Sequence, residues 1–377
     1  MTEQHADKPG FRILHTEWSS GWGGQEQRII LECRKIRELG HYVVIACQPG
    51  SGILPRAVEA GIAMEVVRIR SGYDPKAVWS LVRLIKKHRI NVVNTHSGKD
   101  SWPGGFAAKL AHADLLVRTR HLAIPLSTNP FNFIHRMADG IITTGQSVRE
   151  AMINRNGIEP DRIVSIPTGI SLERFSPGVD PQPVRSSLGI DADEKVVSIV
   201  AILRSIKRHD VFLKAARIIK DRLGRVKFII AGDGPMKDFV SGIITELGLE
   251  QDVLMLGHRE DVPELFAASD VVALTSDMEG VPQSISQAMA MEKPVVAAAV
   301  GGIPDLILDR KTGLFAEAGS PESFADRICE LLANQELSRS LGSAARKYVL
   351  EHHTDTIMAN RTIDFYRHLL DLNNFAS

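Results

Sequence analysis

Three features of the sequence predict an α/β chain built from two doubly wound domains. Short β-rich apolar runs alternate with amphipathic stretches along the whole length, the pattern of parallel strands buried on both faces. A stretch rich in Pro, Gly and Ser, PTGISLERFSPGVDPQPVRSSLG from Pro167 to Gly189, separates two such series. The length of 377 residues also exceeds what one typical core organises. Ligands of open parallel sheets bind outside the carboxyl ends of the strands, so the residues that follow each strand carry the functional reading.

In the first half, FRILHTEW (Phe11 to Trp18) reads as a strand, followed by the glycine turn SSGWGGQE and a helix from about Gln25 to Leu39. Further strands are expected at HYVVIAC, MEVVRI, INVVNTH, LLVRTRH and GIITTG, with helices near 54–60, 74–88, 100–111, 130–138 and 147–155. The helix carrying Val78, Leu81, Val82 and Ile85 ends in KKHR, where cations complement the helix dipole; a lipid-facing role is the other reading of that cluster.

The second half repeats the alternation. Strands are expected at KVVSIVAIL, VKFIIAG, VLMLG, DVVALT, PVVAAAV and TGLFAE. Helices fall near 208–222, 235–248, 261–267, 282–291, 303–309 and 321–333, and two more close the chain at about 336–351 and 355–372. The boundaries drawn are residues 1–175, 176–354 and a final segment 355–377.

Composition narrows the function classes. Lys plus Arg and Asp plus Glu are both 45, so no net field points to nucleic acid. Cys33, Cys47 and Cys329 lack the spacing of a disulfide framework or a zinc site and suit a reducing compartment. No apolar run reaches the length of a membrane span, and the polar start MTEQHADKPG does not resemble a signal peptide. The expectation is a cytoplasmic protein, with peripheral contact at the inner membrane surface left open.

The most informative stretch is Ser276 to Gly302, SDMEGVPQSISQAMAMEKPVVAAAVGG. Val281, Ile285, Ala288 and Met289 mark one helix face, so a helix begins near Pro282, a residue suited to the first helical position. The amides of that helix start form an anion-binding end. Glu279 just before it and Gln287 within it are placed to face one ligand that carries both phosphate and hydroxyl groups. The plainer reading is a capped βαβ unit in which Glu279 only complements the dipole.

Other candidates follow strand ends. Gly23 and Gly24 would let backbone amides approach a phosphate, although GWGGQE is not a dinucleotide fingerprint. His96 and His121 each close a strand and are candidates for hydrogen bonding to a hydroxylated substrate or for proton transfer. Arg204 and Lys207 follow the first strand of the second half, where two cations would neutralise a diphosphate. Gly232 and Gly234, in AGDGP, repeat the logic of a glycine turn leading to a proline-started helix.

Several motifs are absent. SGKD at Ser97 to Asp100 is not a Walker A loop, Asp191 to Asp193 has no partner carboxylates for a metal, EHH at Glu351 to His353 is not HExxH, and no GxSxG occurs.

GGQE, LRSIK, AGDGP, LGHREDVPELFAASD and above all EGVPQSISQAMAMEKPVVAAAVGGIPDLI resemble glycosyltransferase family 4, the retaining nucleotide-sugar-dependent enzymes of GT-B architecture. The resemblance covers nearly the whole chain. It implies an acceptor-side first domain, a donor-side second domain facing it across a cleft, a final helix crossing back to the first domain, and no metal or other cofactor. By the same resemblance Glu279 holds donor-sugar hydroxyls, and the backbone of Gly280, Val281, Pro282 and Gln283 meets sugar and diphosphate. Arg204 and Lys207 stabilise the departing diphosphate, Gly24 approaches it, His121 lines the sugar and acceptor side, and His258 and Arg259 meet the base. One departure stands out: the family's second glutamate is replaced by Gln287. The implied function is retaining transfer of a sugar from a nucleoside diphosphate sugar to a glycan or glycolipid, in cell-surface polysaccharide or lipopolysaccharide synthesis. The rivals are a nucleotide-sugar epimerase and a degenerate, non-catalytic binding subunit.

Overall fold

The computed structural model describes residues 10–121 and 133–376, and the chain divides into two compact units. The first comprises the chain up to Gly169 and from Asp355 onward; the second is Ile170 to Thr354.

In the first unit seven strands, β1 (Arg12–Glu17), β2 (Tyr42–Cys47), β3 (Ala63–Val66), β4 (Val92–Thr95), β5 (Leu115–Arg120), β6 (Gly140–Thr143) and β7 (Ile163–Ser165), form one sheet. The helices between them are α1 (Gly24–Glu38), α2 (Ile53–Glu59), α3 (Pro75–Lys87), α4 (Ser101–Ala111), α5 (Ile134–Met137) and α6 (Gln146–Asn156). The strand order is β3-β2-β1-β4-β5-β6-β7, with every pairing parallel. Winding therefore reverses between β1 and β4, the topological switch point at which open α/β sheets bind ligands. The strand β7 has no counterpart among the sequence expectations, because three residues are too few to show a period. The helix expected at 130–138 falls partly on residues outside the described set.

The second unit begins with α7 (Gln182–Ser187), a short helix inside the stretch expected to be a plain linker. Six strands follow, β8 (Lys195–Val200), β9 (Val226–Ala231), β10 (Val253–Gly257), β11 (Val271–Leu274), β12 (Val295–Ala298) and β13 (Leu314–Ala316). They alternate with α8 (His209–Leu223), α9 (Lys237–Glu246), α10 (Val262–Ala268), α11 (Gln283–Ala290), α12 (Pro321–Ala333) and α13 (Gln335–His352). The order is β10-β9-β8-β11-β12-β13, again parallel throughout, so the switch point lies between β8 and β11.

Three expectations are corrected here. The boundary falls at Gly169 and not at 175, because Ile170 and Phe175 are buried in the core of the second unit. Pro282 caps α11 from outside, with φ −72 and ψ 118, and Pro235 stands two residues before α9, so neither opens its helix. The region near 303–309 forms only a 3-10 turn, Ile303–Asp305.

The last helix, α14 (Asp355–Ala376), belongs to the first unit. Its docking rests on buried polar partners. Tyr366 Oη accepts from Asn94 Nδ2 at 3.0 Å, Asn94 Oδ1 accepts from Thr119 Oγ1 at 2.9 Å, and Thr362 Oγ1 donates to Glu32 at 3.0 Å. Glu32 in turn faces Arg28 in a fully buried pair, 3.4 Å apart, and Arg28 donates to the carbonyl of Ile166 at 2.7 Å. A side chain at Gly140 would strike Leu369, its Cβ falling 2.3 Å from Leu369 Cδ1, so a bare backbone lets the helix lie against β6. Substitution of Tyr366 by Phe removes one buried hydrogen bond and leaves Asn94 short of an acceptor; urea titration is expected to show a loss of about 1–2 kcal/mol in unfolding free energy.

Candidate functional site

In the second unit the loops after β8 and β11, the strands that flank the switch point, are tied together. Thr275 Oγ1 donates toward the carbonyls of Lys207 at 3.0 Å and Arg208 at 2.9 Å, and the amide of Asp277 donates to the carbonyl of Ile206 at 2.9 Å. Arg208, in the left-handed region with φ 50, splits its guanidinium between Asp210 and Asp277, 3.0 Å from each; these bonds raise its pKa further. The result places Lys207 Nζ directly on Glu279 Oε1. Ser276 Oγ donates to the same oxygen at 2.6 Å, and Glu279 is only 9% exposed. Both bonds fall on Oε1, while Oε2 makes no hydrogen bond among the described residues.

The loop after β12 completes the cradle. The amide of Gly302 donates to the Glu279 carbonyl at 3.2 Å, and a Cβ on Gly301, whose φ is 56, would lie 1.9 Å from that carbonyl oxygen. Glycine is obligatory at position 301 for both reasons. Gly232 has a similar structural explanation, since its Cβ would stand 1.9 Å from the Ala201 carbonyl. A Cβ on Gly234 would likewise lie 2.5 Å from the Leu203 carbonyl oxygen. Close approach of the loops after β8 and β9 thus accounts for both glycines before any ligand is considered.

The geometry brings Lys207 and Glu279 together and sets α11 immediately behind them, with Gly280 and Val281 half-buried and Gln283 first in the helix. Arg204 is exposed on the loop after β8, and Gln287 is half-exposed in the second turn of α11. His258 and Arg259 follow β10, the edge strand of the sheet; His258 is exposed and Arg259 is held by Asp261. Asp191 and Asp193 both pair with Arg225. Among the described residues no three His, Cys, Asp or Glu side chains form a metal-holding group.

In the first unit the switch-point strands β1 and β4 and their neighbour β5 bring three imidazoles into a row. His15 Nδ1 lies 2.8 Å from His96 Nε2, and His96 Nδ1 lies 2.9 Å from His121 Nε2. The sequence reading named His96 and His121 but not His15, which follows the apolar Ile13 and Leu14 in a strand whose second half, His15, Thr16 and Glu17, is polar yet buried. It also passed over Glu17 and Asp100. Glu17 accepts from the Ser19 amide at 2.7 Å and from Gln25 Nε2; burial and the nearby Asp100 push its carboxyl up to about 8. Asp100 accepts from Thr16 Oγ1 at 2.6 Å, from the amides of His96 and Ser97, and from the Ser97 hydroxyl, while burial raises its pKa. The Gly23 amide is occupied by the Glu26 carboxylate at 2.8 Å, so Gly23 serves the start of α1, and Gly24 is the exposed first residue of that helix.

Two family profiles match the chain: Glycosyltransferase Family 4 over residues 22–174 and Glycosyl transferases group 1 over residues 182–348. The chain is 28% identical to an Escherichia coli UDP-Gal:alpha-D-GlcNAc-diphosphoundecaprenol alpha-1,3-galactosyltransferase, over 70% of this chain and 72% of that one. It is 30% identical to a Bacillus anthracis N-acetyl-alpha-D-glucosaminyl L-malate synthase over 60% of each, so it spans less than two thirds of that relative. An Anabaena protein solved with UDP and glucose shares the fold with a TM-score of 0.82 at 22% identity, over 95% of this chain and 99% of that one. The chain belongs to glycosyltransferase family 4, and its two parallel-sheet units have the GT-B fold.

Burial sets an opposed pair of titrations. Desolvation holds His15 and His209 down to about 4, His135 down to about 3, and His96 and His121 well below their usual range. An unfolded chain binds these protons first as pH drops below 6.5, so the stability they provide is present above that value and is lost on acidification. Glu17 and Asp100 act oppositely: the folded form keeps protons that the unfolded chain releases, which costs stability as pH rises toward about 8. A melting-temperature series is expected to peak at about pH 6.5–7.5, falling steeply on the acid side and gently on the alkaline side; a continuous rise to about pH 9 would contradict an uncharged Glu17.

Proposed function

We propose that the protein transfers a sugar from a nucleoside diphosphate sugar, a uridine diphosphate sugar in the first instance, to the hydroxyl of a glycan or glycolipid, with retention at the anomeric carbon and without a metal ion. The observation that carries this reading is the Lys207–Glu279 pair between the switch-point loops, backed by the start of α11. The unengaged Oε2 of Glu279 is an acceptor suited to a sugar hydroxyl. Breakage of the glycosyl–phosphate bond leaves negative charge on the diphosphate, which Lys207, Arg204 and the α11 amides are equipped to meet. Stabilisation of that leaving group drives the step, so no protein nucleophile is required. The relatives support the donor and acceptor classes: the E. coli protein's name specifies UDP-Gal and a diphosphoundecaprenol acceptor, and the Anabaena structure contains UDP and glucose. The reading extends to cell-surface polysaccharide or lipopolysaccharide assembly at the cytoplasmic side of the membrane, and the diphosphoundecaprenol in the E. coli relative's name supports it.

Two measurements test the reading. UDP and UDP-sugars, with EDTA present, are expected to raise the melting temperature of the native protein, and Glu279→Ala is expected to reduce kcat/KM by about 100-fold or more while keeping the shift with UDP alone. No shift with any nucleotide would favour a degenerate subunit, a shift that requires magnesium would overturn the metal-free account, and native turnover in Glu279→Ala would overturn the site.

Acceptors carried by lipids call for contact with a membrane surface, and α3 offers one. Its sequence PKAVWSLVRLIKK contains no acid, and Lys76, Arg83, Lys86 and Lys87 are exposed beside Trp79, which is 63% exposed. Arg68, Arg70 and the 71% exposed Tyr73 precede it. Lys87 is paired with Glu65 at 2.6 Å, so the remaining cations carry the attraction. An interfacial aromatic among cations suits an anionic lipid surface, each cation adding about 1 kcal/mol. Sedimentation with vesicles containing anionic lipid is expected to bring down the native protein, Trp79→Ala with Arg83→Glu is expected to lose about 10-fold or more in affinity, and equal binding by both proteins would rule this face out.

A further inference from the structure

The three imidazoles of the first unit constrain one another's protons. A neutral imidazole has one N–H and one acceptor nitrogen. Two hydrogen bonds in series, from His15 Nδ1 to His96 Nε2 and from His96 Nδ1 to His121 Nε2, therefore allow only two arrangements. Either every N–H runs outward from His15 and ends as an Nδ1–H on His121, or every N–H runs inward and ends as an Nε2–H on His15.

His15 Nε2 decides between them. It is buried and has no hydrogen-bond partner among the described residues. In the outward arrangement that atom is an unmatched lone pair; in the inward one it is a buried N–H without an acceptor, the rarer and costlier defect. Burial favours neutral rings at all three positions. Arg28, fully buried on α1, also acts against protonation of all three, and at His15 alone Glu32 opposes it with the larger effect of the two charges. His15 and His96 are buried while His121 is half-exposed, so the row leads from the core to the carboxyl end of β5.

We propose that His15 and His96 are positioning residues which hold His121 in the Nδ1–H tautomer, making its outer nitrogen a standing hydrogen-bond donor to an oxygen of the sugar or acceptor and not a base. The identity of that oxygen rests on the glycosyltransferase reading above; the tautomer does not. A proton-accepting role for His121, open on the sequence alone, is closed by this arrangement.

The test uses full-length protein labelled with 15N-histidine. Long-range proton–nitrogen correlation spectra, with His121 assigned through its loss in His121→Gln, are expected to show Nδ1 protonated and Nε2 bare, unchanged from about pH 5.5 to about pH 8. The opposite tautomer, or a ring that titrates near its ordinary pKa, overturns the proposal. His15→Phe keeps the stacking volume but removes the first donor. It is expected to give mixed tautomers at His121 and a kcat about tenfold lower, with the KM for nucleotide sugar within about twofold of native. His15→Asn supplies an amide N–H in place of the Nδ1–H and is expected to restore both readouts. A cooperatively folded His15→Phe with the native spectrum and native kcat overturns the positioning role. Should His15→Phe not fold, the native spectrum and His15→Asn still decide. Absence of sugar transfer by the native protein defeats the functional reading, and the His121 spectrum then stands or falls independently.

Discussion

The ion pair between Lys207 and Glu279 is the constraint around which the second unit is arranged. It joins loops that leave the sheet from β8 and β11, the two strands between which winding reverses, and such loops diverge unless something holds them. Here Thr275 and Arg208 hold them, the first through carbonyls and the second through carboxylates. Gly301 then allows the β12 loop to lie on the Glu279 backbone, so the carboxylate is supported from three sides and emerges with one oxygen uncommitted. A site prepared in this way needs little reorganisation as charge develops in a bound substrate.

The first unit answers a different problem, how to fix polar groups at strand ends inside an apolar sheet. Its solution is a set of buried hydrogen-bonded groups with almost every member partnered by a neighbour on another element. Arg28 and Glu32 on α1 reach α14 through Thr362, Asn94 links β4 to β5 and to Tyr366, and Asp100 gathers the β1 and β4 ends. Losing one partner of the buried Arg28–Glu32 pair would strand a charge in the core, typically at about 3–5 kcal/mol. The final helix therefore contributes more than apolar cover: it satisfies part of the polar layer on which the imidazole row rests.

Much of the architecture was legible in advance because parallel strands buried on both faces are apolar throughout and the helices between them carry a 3.6-residue period. Eleven of the strands lie within runs that the sequence singles out, β3 begins one residue before its run, and β7 escaped because three residues carry no pattern. Pro282 and Pro235 were misplaced by one or two positions, since proline fits the cap as well as the first turn. Glu279, Lys207, His96 and His121 were visible as polar residues at strand ends. Arg208, Ser276, Gly301, His15, Glu17 and Asp100 were not, because their significance lies in partners distant along the chain.

By itself the sequence determined most of the strands and helices, the neighbourhood in which the two series divide, and which strand ends carry cations, carboxylates and imidazoles, since these follow from local periodicity and residue chemistry. Tertiary structure alone decided which strands are neighbours, and hence that Lys207 meets Glu279, 72 positions away, and His15 meets His96, 81 positions away. It also decided that the glycines at 232 and 301 are demanded by crossing backbones. The reason is physical: strand order and loop contact arise from long-range burial of both faces of a sheet, a property of the folded whole that no local stretch encodes.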